Sequence, residues 1–253
     1  MPSRATVADV APEVAALVAR YHLSPDSRSQ LVRFVELLLS PHAPTAVRTP
    51  QAAVDDHLAD ALVALELDAL RSAHRLLDLG SGAGLPGLPL AIARPEAAFT
   101  LLEAGAPKVR FLKRACDECL VANADVVHAR AESFARTARP YDLVTARAVG
   151  PLPVVLEYAA PLLGVGGTLV VWRGRRDPDA EAAAAHAAEQ LGLGTATIRP
   201  VAPYDGAEHR HLYTVSKLEE TPVRFPRRPG MALKRPLGLR DGPCRAPSDR
   251  VQR

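Results

Sequence analysis

The chain has 253 residues, 48% of them hydrophobic, and a formal net charge of +3, enough for one substantial core with a small appended region. No basic start followed by an apolar block opens it, and no uninterrupted apolar run is long enough to cross a bilayer, so neither a signal peptide nor a membrane span is expected and a cytoplasmic location is. The three cysteines, Cys116, Cys119 and Cys244, are an odd set that argues against a disulfide framework.

Three helical patterns come first. One covers about Val7 to Arg20. The second starts at Ser24 and Pro25, a cap residue followed by a residue suited to the first helical position, and repeats apolar residues at helix spacing through "RSQLVRFVELLL". A proline-rich loop, "SPHAPTAVRTP", separates it from a third helix expected over Gln51 to Leu67. From Arg75 short apolar runs alternate with helix-length segments. Strands are expected at 75–79, 98–103, 125–129, 141–147, 166–172, 195–201 and 211–218. Helices are expected at about 86–93, 107–121, 152–163 and 178–191. That alternation means a doubly wound, mostly parallel α/β sheet covered on both faces, its last two strands joined by a turn into an antiparallel hairpin. Residues 1–70 form an N-terminal helical region, 71–220 the α/β core, and 221–253 a tail. Six prolines between Thr221 and Ser248 make that tail an extended arm or a disordered segment rather than a regular helix or central strand.

The tail also concentrates charge. It holds nine Arg or Lys and two Asp, which leaves −4 for the rest of the chain; a basic end on a near-neutral body suits a polyanionic partner. Metal is not expected. Cys116 and Cys119 lie inside a helical pattern with no second Cys/His pair at finger spacing, and His209 and His211 lack a carboxylate pattern to complete a site.

The chemistry is concentrated after the first strand, in Asp78-Leu79-Gly80-Ser81-Gly82-Ala83-Gly84. Glycines at a strand-to-helix turn permit positive φ and let backbone approach a ligand in the crevice of a doubly wound sheet. The spacing is D-x-G-x-G-x-G, not the dinucleotide G-x-G-x-x-G. An acid at the strand's end suits a ligand bearing an ammonium and a sulfonium, as S-adenosylmethionine (SAM) does, better than a pyrophosphate. Glu103, closing "FTLLE", can accept hydrogen bonds from ribose hydroxyls. Leu85 follows the last glycine, where it lines the pocket or joins the core.

"DLGSGAGLPGLPLAIARPEAAFTLLEAGAPKVRFL" resembles the RsmG (GidB) family of bacterial SAM-dependent methyltransferases, and the run Gly84 to Leu90 carries most of that resemblance. "ARAESF" (129–134), "YDLVTARAVGPL" (141–152), "HLADAL" (57–62) and "FPRRPGMALKRPL" (225–237) are similar to further family segments. Four features depart from the family: Ala61 stands where serine is usual in the His-x-x-Asp helix, "LLSPHAPTAVRTP" replaces its usual Trp-Asn and Asn-Leu-Thr segment, Glu103 replaces the common aspartate, and nothing matches beyond Leu237. The resemblance implies a Rossmann-like class I SAM-dependent methyltransferase fold with a seven-stranded sheet and N-terminal helices. It implies methylation of guanosine N7 in small-subunit (16S) ribosomal RNA, with that RNA or the small ribosomal subunit as partner and a monomeric enzyme. It also implies that Gly80 and Leu85 contact SAM, that Ala131 and Glu132 flank its adenine, and that Arg147 stands at the mouth shared by cofactor and RNA.

Asp78, Gly80, Gly82, Gly84, Leu85, Glu103, Ala131, Glu132 and Arg147 are therefore the expected cofactor residues, and Arg147 is also the catalytic candidate. Two basic groups are expected to meet RNA: Arg110, Lys113 and Arg114 on one helix face, and Arg227, Arg228, Lys234 and Arg235 in the tail. The alternatives are a methyltransferase for a small molecule or a protein, an RNA-binding module with a vestigial pocket, and an NAD-dependent oxidoreductase. The basic tail, the intact acid-and-glycine set and the glycine spacing, in that order, speak against them.

Overall fold

The computed structural model describes residues 6–238; Cys244 and the tail beyond Gly238 lie outside the described residues. Seven strands form one sheet: β1 (Arg75–Leu79), β2 (Ala98–Glu103), β3 (Ala124–His128), β4 (Tyr141–Arg147), β5 (Leu163–Arg173), β6 (Thr197–Pro200) and β7 (His211–Ser216). Their order is β3-β2-β1-β4-β5-β7-β6. β1 pairs in parallel with both β2 and β4, while β7 is antiparallel to both β5 and β6. This is the expected doubly wound fold, hairpin included. The strand order reverses between β1 and β4, from β1-β2-β3 on one side to β4-β5 on the other, so a crevice opens at their carboxyl ends.

Strand alternation divides the core. Leu76, Leu101, Leu143 and Val170 face one apolar layer, and their neighbours Leu77, Leu102, Val144 and Val171 face the other. The first layer is covered by α1 (Ala11–Arg20), α2 (Pro25–Leu38), the chain from α3 (Pro50–Ala53) through α4 (Asp60–Leu62) to α5 (Asp68–Ser72), α6 (Gly87–Ala93) and α7 (Ala106–Glu118). The second is covered by α8 (Ala131–Phe134), α9 (Leu152–Ala159), α10 (Pro178–Leu191) and α11 (Met231–Lys234). α10 is capped at both ends: Asp177 Oδ1 accepts from Ala180 N at 3.1 Å, and Gly192 closes the helix with φ +72°. At α2, Ser24 stands at the cap position, but its hydroxyl pairs with that of Ser27 instead of a backbone N–H.

Two expectations change. The single helix over 51–67 is broken: Val54–Ala59 is π-helical and Val63–Glu66 is 3₁₀. The cause is visible in the carbonyls of Asp56 and Asp60, which turn out of the helix to accept from Arg147 Nη1 and Trp172 Nε1 at 3.0 and 2.6 Å. The described part of the tail is neither a loose arm nor free of helix. Phe225 and Ala232 are buried, and α11 forms one helical turn after Gly230, whose φ is +81°.

Candidate cofactor site and active centre

The glycine loop leaves β1 and returns over its end. Gly80 N and Ser81 N both donate to Leu102 O, at 2.8 and 3.1 Å, which ties the loop to β2. Gly80, Gly82 and Gly84 all have positive φ, +70°, +58° and +90°, a conformation that costs glycine little and other residues much. At Gly80 a Cβ would also stand 3.0 Å from Val149 Cγ2. Val149 reaches that position because Ala148 adopts φ +55° immediately after β4, a strained conformation for a residue with a side chain.

Glu103 holds the loop from β2. Its Oε2 accepts from Gly82 N at 3.0 Å and its Oε1 from Gly105 N at 2.7 Å. A carboxylate oxygen has more than one lone pair, so each keeps capacity for a ligand hydroxyl. Glu103 lines a cavity of ≈ 190 Å³ together with Gly80, Leu102, Ala131, Glu132 and Tyr158, with Leu233 also on its wall. An acidic acceptor beside apolar walls and bare glycine backbone fits the adenosine part of SAM.

The other expected cofactor residues lie elsewhere. Asp78 is buried beneath the loop, not at its surface. Its Oδ2 accepts from Gly87 N at 3.1 Å and its Oδ1 from Thr145 Oγ1 at 2.8 Å. Burial pushes its pKa up to about 6, against the lowering effect of those bonds. Asp78 therefore braces the start of α6: it is 1% exposed and does not line the cavity, so of the two expected acids only Glu103 stands on the cavity wall. Gly87 is part of that brace, because a Cβ there would fall 2.7 Å from Asp78 Oδ2 and 2.5 Å from Leu101 Cδ2. Gly84 faces Leu88, Leu112 and Phe34, and Leu85 belongs to the same apolar layer; both are core positions away from the cavity wall, while Gly82 is half-buried at the turn and meets that wall through its N–H to Glu103.

Arg147 projects from β4 to the layer of the N-terminal helices, opposite the Ala131 and Tyr158 side. Its Nη1 donates to Asp60 Oδ2 at 2.6 Å and to Asp56 O at 3.0 Å, and its Nη2 lies 2.9 Å from His57 Nδ1. Asp60 is 4% exposed. Burial raises its pKa while Arg147 pulls it down. Burial, then the charge of Arg147, lower that of His57, whose Nε2 is 2.7 Å from Thr45 Oγ1. At neutral pH His57 is thus an uncharged partner. Around this group, Asp56 Oδ1 accepts from Tyr204 and Arg210 at 2.8 and 2.9 Å. Arg147 Nε–H has no partner among the described residues and remains free to donate.

Of the expected RNA contacts, Arg110 and Lys113 are exposed on α7 without a carboxylate partner among the described residues, whereas Arg114 is paired with Glu118 at 2.6 Å. Arg227 is corrected from a surface cation to an internal tie: its Nε and Nη2 donate to Glu157 at 2.8 and 2.5 Å, and that glutamate is 1% exposed. Arg228, Lys234 and Arg235 are exposed and lack a carboxylate partner among the described residues. Cys116 and Cys119 are buried free thiols, and burial pushes their pKa values up to about 11 and about 12. Among the described residues no group of three metal-ligating side chains gathers, and no helix is long and apolar enough to cross a membrane.

Sequence reasoning missed Val149, Tyr158, Leu233 and Thr145. The parity of β4 would have found Thr145, since it shares a face with Leu143. The others come together only through the fold.

A family model described as rRNA small subunit methyltransferase G (GidB) matches residues 27–209. A protein of Chloroflexus aggregans described as ribosomal RNA small subunit methyltransferase G is 42% identical over 197 residues, 76% of this chain and 82% of the relative. One of Thermotoga neapolitana with the same description is 39% identical over 203 residues, 80% of this chain and 87% of the relative. Among solved structures, the S-adenosylmethionine-dependent methyltransferase SibL aligns with a TM-score of 0.55 at 15% identity, over 82% of this chain and 74% of that one; at that identity the likeness is one of fold.

Proposed function

The chain belongs to the rRNA small subunit methyltransferase G family, and from that membership we infer that it transfers the methyl group of SAM to N7 of a guanosine in small-subunit ribosomal RNA. The observation that carries this reading is the Glu103-and-glycine cavity at the reversal point of the sheet, with a pinned arginine at the end of β4 on the opposite side of the sheet.

Guanine N7 has a lone pair and no proton, so transfer to it needs no general base. When bound, SAM would supply an electrophilic methyl: the C–S bond would break as the N7–C bond forms, leaving sulfur as a neutral thioether and passing its positive charge to the methylated guanine ring. What this chain must supply is alignment and exclusion of water. Glu103 and the glycine loop hold the nucleoside end. Asp78, Thr145 and Gly87 keep that loop seated on β1 and β4. Arg147, held on two sides by Asp60 and His57, keeps its Nε–H for guanine O6 or a phosphate. Arg110 and Lys113 on α7, and Arg228, Lys234 and Arg235 on the tail, offer unpaired charge to the RNA backbone.

The test is methyl transfer from radiolabelled SAM to small ribosomal subunits lacking N7-methylguanosine, with free 16S RNA alongside. Label in a single N7-methylguanosine is expected. Label in another nucleoside, or none while SAM binds, overturns the reading.

A further inference from the structure

We propose that residues 223–237 form a strap that covers the cofactor cavity with Leu233 and so couples cofactor binding to RNA binding. The inference rests on the reading of RNA as the substrate.

The strap is tied down at two points. Arg227 grips the buried carboxylate of Glu157 on α9 and donates through Nη2 to Arg235 O at 2.7 Å, closing the strap on itself. Gly230 N donates to Glu132 Oε1 at 2.8 Å. Glu132 is buried, and it is a residue of the cavity wall. Its carboxylate therefore serves the strap, whatever its backbone offers to a base. On either side of these ties Phe225 and Ala232 sink into the core. The turn Met231–Lys234 then carries Leu233 to the cavity, beside Val149 and within 3.9 Å of the position a Cβ on Gly150 would take. Leu233 thus meets the loop after β4 while Glu132 holds the strap from the first turn of α8.

Leu233 is 55% exposed. An apolar side chain left half in water beside such a cavity gains burial once a ligand fills it. The next two residues, Lys234 and Arg235, and Arg228 before the turn, are exposed cations without carboxylate partners among the described residues. One short segment, fixed at both ends, therefore offers an apolar contact to the cofactor and three charges to RNA. A ligand that holds the strap down on one side favours the other, and the effect must be reciprocal.

The experiment measures the affinity of the full chain for S-adenosylhomocysteine, which cannot transfer, with and without saturating small ribosomal subunits lacking N7-methylguanosine. RNA is expected to tighten it by at least about fivefold, and S-adenosylhomocysteine to tighten subunit binding by the same factor. Leu233→Ser should weaken S-adenosylhomocysteine alone and abolish the coupling. Arg228, Lys234 and Arg235 replaced together by Ala should abolish the coupling while leaving the affinity for S-adenosylhomocysteine alone within about twofold. Melting curves accompany both variants. Unchanged affinity with subunits in the wild type, or full coupling in Leu233→Ser, overturns the strap even where methyl transfer proceeds. Absence of any subunit binding overturns the functional reading and the strap with it.

Discussion

At Arg147 one side chain serves two structural masters and keeps one donor free. Asp60 and Asp56 O occupy Nη1 and His57 meets Nη2, so the guanidinium cannot swing without leaving Asp60 unpaired in the interior. Planar, forked donors are what lysine lacks. Arg147→Lys keeps the charge but cannot satisfy Asp60, Asp56 O and the crevice together. Its kcat should fall by about 10- to 100-fold, on the order of 1.4–2.7 kcal/mol of transition-state stabilisation, while affinity for S-adenosylhomocysteine changes by less than about threefold. Equal losses in both would assign Arg147 to the cofactor. The identity of Arg147 and its place at the end of a strand were legible in the sequence. Its partners were not, because Asp56, His57 and Asp60 are separated from it by about ninety residues of chain. Asp78 is a sharper case. Its position at the end of β1 suggested ligand contact, but its parity with Leu76 already put its side chain on the α6 side of the sheet.

Among the elements, β7 and the end of α10 share a buried cation. Lys217, just after β7, is 1% exposed and donates from Nζ to Leu191 O at 3.0 Å and to Thr221 Oγ1. Burial brings its pKa down to about 8. A base whose folded pKa lies below its unfolded value stabilises least while charged, and stability is gained as pH rises from the folded toward the unfolded value. Lys217→Met removes that charge and leaves Leu191 O satisfied by Thr221 Oγ1 at 3.2 Å. Subtracting variant from wild type cancels the opposing thiol ionisations. Denaturant unfolding should show the variant ahead by roughly 1–3 kcal/mol at pH 7 and the gap closing between pH 8 and 10.5. A gap independent of pH would contradict the assignment. The strands themselves were readable because short apolar runs bounded by Gly, Pro and Asp leave few alternatives. The third helix was not, because its π-helical turn follows from carbonyls drawn to Arg147 and Trp172, which periodicity does not record.

For the whole molecule, the C-terminal segment completes both the core and the cavity. Its prolines and arginines read as a solvated arm because nothing local shows that Glu157 and Glu132, 70 and 98 residues earlier, wait for it. Arg227→Ala should therefore act as a core mutation, costing about 3–5 kcal/mol by stranding a buried carboxylate, whereas Arg228→Ala should leave the melting temperature unchanged; equal melting temperatures would return Arg227 to the surface. The doubly wound sheet with its final hairpin, the glycine loop and Glu103 could be read from the sequence, and they frame the central claim that this protein aligns an N7 lone pair with a methyl group and needs no base. The most direct test uses small subunits reconstituted with RNA carrying 7-deazaguanosine, which lacks the N7 lone pair. Unchanged binding with no methyl transfer is the predicted result. Transfer that persists on that RNA would contradict the account.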